Sequence, residues 1–257
     1  MAKGLPGADS SIPVTSQVEG EGLIALATNH FGAVPAFWGR YFTSTTSNTP
    51  AEYHHVLEGP PLSASGIRVL PVARQTRNVN GTTEQGATDG AANATDLLAS
   101  FGASAMVSQG NVFYIFLDVE GDPTTDSPSL SAAYYTGWAQ AVTATSTSAT
   151  NGQVTIRPCI YATQGDGVTW AALTQAMASG ADCGGAWMAR YLTSGCSEFP
   201  DWNDEFVTPR SGMPQNCPIL AWQFAGNCLS GSIDCSQTNP ALDPNETLLK
   251  FLMLPPG

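Results

Sequence analysis

Two carboxylates, Asp118 and Glu120, end the run Val112-Phe-Tyr-Ile-Phe-Leu-Asp-Val-Glu120. They are two residues apart, so in an extended strand both side chains leave on one side, together with Tyr114 and Phe116. Acids emerging above aromatic rings repel each other and are partly desolvated, and both effects raise the pKa of at least one. One acid kept protonated beside one kept ionised is the pair that cleavage of a glycosidic bond requires. Glu120 reaches further and is the candidate general acid. Asp118 would orient it, or stabilise positive charge on a sugar. A D-x-E tripeptide alone more often only caps a strand. Its place at the end of the most apolar run gives it weight.

Other polar residues close other strand-like runs: Asp9, Arg40, Arg74, Tyr161, Arg190, Gln223 and Asp234. If those runs form one parallel barrel, all of these ends open at one mouth. Trp38, Trp187 and Trp222 lie in the same runs and offer flat apolar surface. Arg40, Arg74 and Arg190 could hold an acidic sugar substituent, although inward arginines of a barrel more often pair with its own carboxylates. Other chemistry has little local support. His54-His55 lack an acidic partner at metal spacing, and no G-x-S-x-G elbow or S-x-x-K occurs. Gly20-Glu21-Gly22 lacks the later glycine of a dinucleotide fingerprint, and the Gly-rich stretch 81–90 reads as a loop entering a helix. No metal and no cofactor is expected, and an amidase or peptidase has neither metal nor nucleophile signature.

The elements that must position these residues alternate along the chain. A first short strand is expected to end at Gly7-Ala8-Asp9-Ser10, and further strands are expected at 35–42, 67–73, 112–120, 154–161, 185–191, 219–224 and 232–234. Helices are expected at 19–29, from Thr49-Pro50 onward, and at 86–101, 129–145, 168–178 and 245–252, with Gly102 as a stop. Pro71 is awkward inside a ladder. Strands alternating with helices imply a parallel sheet with helical crossovers. Eight of them in 257 residues fit a single (β/α)8 TIM-type barrel over 1–257, with room for irregular or incomplete strands. An open doubly wound sheet is the rival.

Composition sets the surroundings. Nine Lys and Arg against 21 Asp and Glu give a formal charge of −12, and the only lysines are Lys3 and Lys250. Nucleic acid is therefore excluded as a partner, since phosphate binding needs clustered cations. No apolar run is long enough for a membrane span. Six cysteines, without zinc spacing, favour disulfides and an oxidising compartment, hence a secreted protein, although fifteen pairings remain open. The start has no apolar leader. Sequons occur at Asn80, Asn93 and Asn245.

Four motifs in order resemble the family 25 lysozyme superfamily of glycoside hydrolases. They are Gly7-Ala8-Asp9-Ser10-Ser11, Phe116-Leu-Asp118-Val-Glu120, Trp187-Met-Ala-Arg-Tyr191, and Ala221-Trp222-Gln223-Phe224 followed by Gly231-Ser-Ile-Asp234. The chain is most similar to the glycoside-hydrolase-like barrels grouped under a domain-of-unknown-function label. The resemblance implies a catalytic centre of Glu120 as acid with Asp118, Asp9 and Asp234 around it. It implies a muramidase-like, monomeric enzyme acting on peptidoglycan or related amino-sugar glycans. Arg40, Arg74, Tyr161, Trp187, Arg190, Trp222 and Gln223 would then contact the glycan. The alternative is a barrel that binds cell-envelope glycan without cleaving it, because a fold does not fix an activity.

Overall fold

The computed structural model describes residues 2–47, 49–75, 77–121, 127–242 and 247–256. Eight strands close into a barrel: β1 (Pro6–Asp9), β4 (Phe37–Tyr41), β5 (Arg68–Ala73), β6 (Val112–Val119), β7 (Thr155–Thr163), β8 (Ala186–Ala189), β9 (Ile219–Asn227) and β10 (Ile233–Thr238). A small hairpin, β2 (Gln17–Val18) with β3 (Glu21–Gly22), lies outside it. The main helices are α1 (Leu23–Phe31), α2 (His55–Ala64), α3 (Thr83–Phe101), α4 (Ala103–Gln109), α5 (Ala132–Ala149) and α6 (Gly167–Ala178).

The expected α/β barrel is present, with one departure. β1 and β4 to β9 run parallel in sequence around the ring, but β10 is antiparallel to both β9 and β1. Only five residues separate the end of β9 from the start of β10. A parallel return needs a crossover of a dozen or more residues, so this connection can only reverse the strand. Asp234 therefore sits at the beginning of its strand, not at its end, and still faces the same mouth. The register pairs it with Asp9.

Side chains alternate across each strand. Phe37, Leu70, Val72, Tyr114, Phe116, Cys159, Tyr161 and Trp187 point inward and fill the barrel, as a packed core rather than a pore. The C-terminal segment closes the far end, where Leu248, Leu249 and Leu252 join this inner cluster and Phe251 stacks on Tyr114 at 4.4 Å between ring centroids. The alternate residues, among them Trp38, Ile115, Leu117, Ile160, Met188 and Phe224, pack outward against the helices. The α3 and α5 helices touch backbone to backbone. A Cβ on Gly86 or Gly90 would strike the carbonyls of Tyr134 or Trp138, and one on Gly137 that of Thr83.

Several boundaries differ from the sequence expectation. The segment 19–22 is the turn and return strand of the hairpin, not helix, because Glu19 and Gly20 adopt φ of 52° and 86°. The helix expected from Thr49-Pro50 begins only at His55, because the carbonyls of Pro50 and Glu52 turn away to accept from Arg40. Pro71 is tolerated because β5 pairs with β6 only through Val72 and Ala73, beyond it. Of the expected closing helix, Leu249–Phe251 is a 3-10 turn, and Asn245 with its sequon lies outside the described residues. The sequon at Asn93 is buried: its amide donates to the carbonyls of Phe42 and Thr43 and accepts from Trp138.

One disulfide joins Cys196 to Cys228, while Cys159, Cys183, Cys217 and Cys235 are buried thiols. The bridge ties the irregular segment after β8 to the turn between β9 and β10. Thiol titration in denaturant is expected to find four reactive groups per chain before reduction and six after. A count of two, or of six without reductant, contradicts this pairing.

Candidate active site

The barrel mouth gathers Asp9, Ser10, Gly39, Tyr41, Asp118, Glu120, Tyr161, Trp187, Gln223 and Asp234 around one cavity. Strand alternation decides which residues arrive there. Tyr114, Phe116, Asp118 and Glu120 follow one another up the inner side of β6. Asp118 is 3% exposed and lies at the floor. Glu120, just past the end of the strand, is exposed at the rim. Gly39 leaves room for its neighbours, since a Cβ there would stand 2.6 Å from Cβ of Asp9 and 3.4 Å from the Trp187 ring.

Gln223 is the hub of the mouth. Its Nε2 donates to both oxygens of Asp9 at 3.1 and 3.2 Å and to Oδ2 of Asp234 at 3.3 Å. Its Oε1 accepts from the hydroxyls of Tyr161 at 2.6 Å and Tyr191 at 3.0 Å. A carboxylate can only accept, so this network fixes the amide with nitrogen toward the acids and oxygen toward the tyrosines. Asp234 also accepts from the backbone N–H of Asn227 at 2.6 Å. Trp187, edge-on to Tyr161, is held by its Nε1 donating to Ser236.

The acids are shifted toward the protonated form. Burial pushes Asp9 well above the usual carboxylate range, with repulsion from Asp234, Asp118 and Glu120 adding to it and the Gln223 hydrogen bond opposing it. Burial also raises Glu120, against the field of Arg74 and with that of Asp234. Asp234 is raised by burial and eased by the Asn227 N–H. Tyr41 is raised by burial and by the fields of Asp118, Asp9 and Glu120, so its hydroxyl remains a donor or acceptor in this anionic setting.

Asp9, Asp118, Glu120, Asp234, Tyr161, Trp187 and Gln223 thus come together as expected. Arg74 joins them on the rim, its guanidinium 4.9 Å from the centre of the Tyr41 ring. Three expected sugar contacts turn their polar ends away from this mouth, although Arg40 is among the residues that line it. Arg40 points outward from β4, fully buried, with Nε 2.9 Å from Glu58 and its terminal nitrogens donating to the carbonyls of Ser10, Pro50 and Glu52. Trp222 points outward from β9 among Trp202, Phe206 and Phe224, and donates to the carbonyl of Arg190. Trp38, a further candidate flat surface, is likewise outward and fully buried. Arg190 lies across the face of Phe206 at 3.7 Å and donates to its carbonyl, reaching only the wall of a neighbouring cavity. Tyr41 and Tyr191 were not expected at the site, yet a signal existed: Tyr41 ends β4 on its inward alternation, and Tyr191, two residues past β8, continues the inward alternation of Trp187 and Ala189. Among the described residues, His30, Cys228 and Cys235 come close enough to share a metal ion, but the sulfur of Cys228 is already bonded to Cys196.

Comparison with solved structures gives the fold a context. The chain superposes on an uncharacterized B. stearothermophilus protein with a TM-score of 0.70 and 19% identity, over 97% of this chain and 100% of that one. It is similar to a muramidase from Trichobolus zukalii, with a TM-score of 0.50 and 16% identity over 96% and 99% of the two chains. It is also similar to a family 25 glycosyl hydrolase from Bacillus anthracis, with a TM-score of 0.51 and 12% identity over 95% and 93%. The barrel shares the fold of these structures. No family model matches the chain. No curated protein matches it.

The raised acids set a pH dependence. The folded chain holds protons at Asp9, Glu120 and Asp234 that the unfolded chain releases. Stability from these groups is therefore full below the ordinary carboxylate range and falls as pH rises through their raised values. Replacing Asp9 by Asn removes the largest conflict. Melting temperatures of wild type and Asp9→Asn should converge near pH 4 and separate toward pH 8, with the variant the more stable. A pH-independent difference contradicts this assignment.

Proposed function

We propose that this chain is a glycoside hydrolase of the family 25 lysozyme type, acting on peptidoglycan or a related amino-sugar glycan. The observation that carries the reading is the pair on β6: a buried Asp118 at the floor and a rim carboxyl, Glu120, whose protonation is favoured by desolvation. Glu120 protonates the leaving oxygen as the glycosidic bond breaks. Asp118 stabilises positive charge at the sugar, and Asp118 and Asp9 together position the attacking group. That group is a water molecule or the substrate's own acetamido oxygen. Gln223, with Tyr161 and Tyr191, holds Asp9 and Asp234 against their mutual repulsion, and Trp187 offers the apolar wall. The solved structures named as a muramidase and as a family 25 glycosyl hydrolase, which share this fold, support the reading.

The surroundings agree with it. Among the described residues no helix is long and apolar enough to cross a membrane. The Cys196–Cys228 disulfide fits a secreted protein that meets its glycan outside the cell. One chain supplies every side chain of the site, so a monomer suffices.

Glu120→Gln keeps the shape and removes the proton. Release of reducing ends from peptidoglycan or chitin-like oligomers should fall on the order of 10²- to 10⁴-fold, with circular dichroism unchanged. Wild-type turnover in this variant would overturn the mechanism.

A further inference from the structure

Cys235 carries a buried free thiol for which the glycan reading has no use. Its neighbours Asp234 and Ser236 meet inward groups of the barrel, so Cys235 lies between them in the outer core. There its sulfur, the sulfur of Cys228 and a ring nitrogen of His30 lie within 4.8 Å of one another. Cys196 is bonded to Cys228, so a fourth donor stands one bond away. We propose that reduction of the Cys196–Cys228 bridge turns these four side chains into a tetrahedral zinc site.

Three thiolates and one imidazole are a donor set that zinc takes in closed structural sites. Bonds of about 2.3 Å to sulfur and about 2.0–2.1 Å to nitrogen place neighbouring donors roughly 3.5–3.8 Å apart in a tetrahedron. Closing the present group around an ion therefore needs shifts on the order of 1 Å. The donors come from the last turn of α1, the 3-10 turn Gly195–Ser197, the turn after β9, and β10. Scattered over four segments, they show no zinc spacing in the sequence. Cys228 and Cys235 are at most 1% exposed, while His30 and Cys196 are half-buried, which gives an ion a way in. A chain of charge −12 attracts a dication.

The backbone at this point is held under strain. Asn227, Leu229 and Ser230 are three of the five non-glycine residues with positive φ among the described residues, and Cys228 bridges Ile233 across their turn. Such strain persists where neighbouring bonds over-determine the chain. The disulfide is one such bond. With the bridge reduced, zinc ties the same segments and adds the end of α1.

Electrons and protons balance in both directions. A dithiol reductant gives two electrons and two protons to the bridge, becomes a disulfide itself, and leaves thiols on Cys196 and Cys228. Zn²⁺ then bonds three sulfurs and one imidazole nitrogen and releases three protons to water. Oxidised glutathione reverses this. It takes two electrons and two protons and leaves as two thiols, the bridge re-forms, Cys235 recovers its proton, and the ion departs. A reducing compartment thus favours the zinc form and an oxidising one the bridged form.

The test uses the full chain, reduced with a phosphine, freed of reductant without oxygen, and titrated with Co²⁺ and then Zn²⁺. Reduced wild type should bind one Co²⁺ with the strong visible absorption of tetrahedral thiolate ligation, and zinc should bleach it. The bridged chain should show no such absorption. Cys235→Ala should abolish it. His30→Ala should weaken binding roughly 100-fold or more, beyond the loss typical of groups that only orient a ligand. Cys183→Ser, at the other close pair of sulfurs, 3.6 Å from Cys217, should change nothing. Absorption that survives both Cys235→Ala and His30→Ala overturns the proposal, as does absorption lost in Cys183→Ser. If reduction loosens the fold, zinc should restore the circular dichroism, because binding is then folding free energy. A reduced chain that zinc neither binds nor restores overturns the proposal as well.

Discussion

The mouth depends on one amide holding two like charges together. Closing the ring with an antiparallel β10 sets Asp234 directly across from Asp9. Both carboxyls are raised by burial, and Asp234 raises Asp9 further. Left alone they would part or bind a proton between them. Gln223 opposes their separation by donating to both, and it can do so only because Tyr161 and Tyr191 hold its oxygen on the opposite side; its hydrogen bond offsets only part of the rise that burial imposes on Asp9. Two tyrosines, one amide and two aspartates thus form a single unit drawn from β7, the segment after β8, β9, β1 and β10. Such a unit is destabilising in isolation and persists because the barrel fixes its parts, as functional sites commonly are.

Beneath and outside this unit the fold separates support from chemistry by strand parity. On β4, Gly39 and Tyr41 look inward, and Trp38 and Arg40 outward. Arg40 and Glu58 form an ion pair with both side chains fully excluded from solvent, joining β4 to α2. Glu58 also accepts from the backbone N–H groups of Val14 and His54, so neither charge is left without partners on the side facing the helix. The pair is therefore part of the frame that holds the β1 loop against β4. Inward arginine and outward arginine have the same sequence appearance and opposite uses: Arg74 follows inward Leu70 and Val72, whereas Arg40 follows outward Trp38 and Arg190 outward Met188.

That distinction explains how far the sequence could be read. Strand β6 was legible because a nearly unbroken apolar run buried on both faces has no other reading at that length, and the D-x-E at its end then has a defined direction. The parallel core strands and α3, α5 and α6 followed from the same contrast of periods. Parity was not legible for the arginines, because both faces of a barrel strand are apolar and the alternation carries no polar mark. The reversed β10 was hidden by brevity, since Ser232-Ile-Asp234 shows a strand but not its sense. The hairpin at 17–22 was hidden by two positive φ angles, which helix periodicity does not register. The disulfide could not be chosen from six cysteines, since pairing depends on the irregular segment 195–216 folding back against the end of β9.

In the proposed mechanism, depth rather than residue type separates the roles of the two central acids. Asp118 and Glu120 follow one another on the inner side of β6 and just past its end, one pleat apart. The lower one is closed in at 3% exposure, beside the inward ring of Trp187 and the hydroxyl of Tyr161. The upper one reaches the rim, where Arg74 and two flanking cavities meet it. A proton delivered to a leaving group must come from a carboxyl that substrate can touch, and a charge that steadies a cationic sugar must stay where water cannot screen it. A strand ending between the two satisfies both demands with one pleat of backbone.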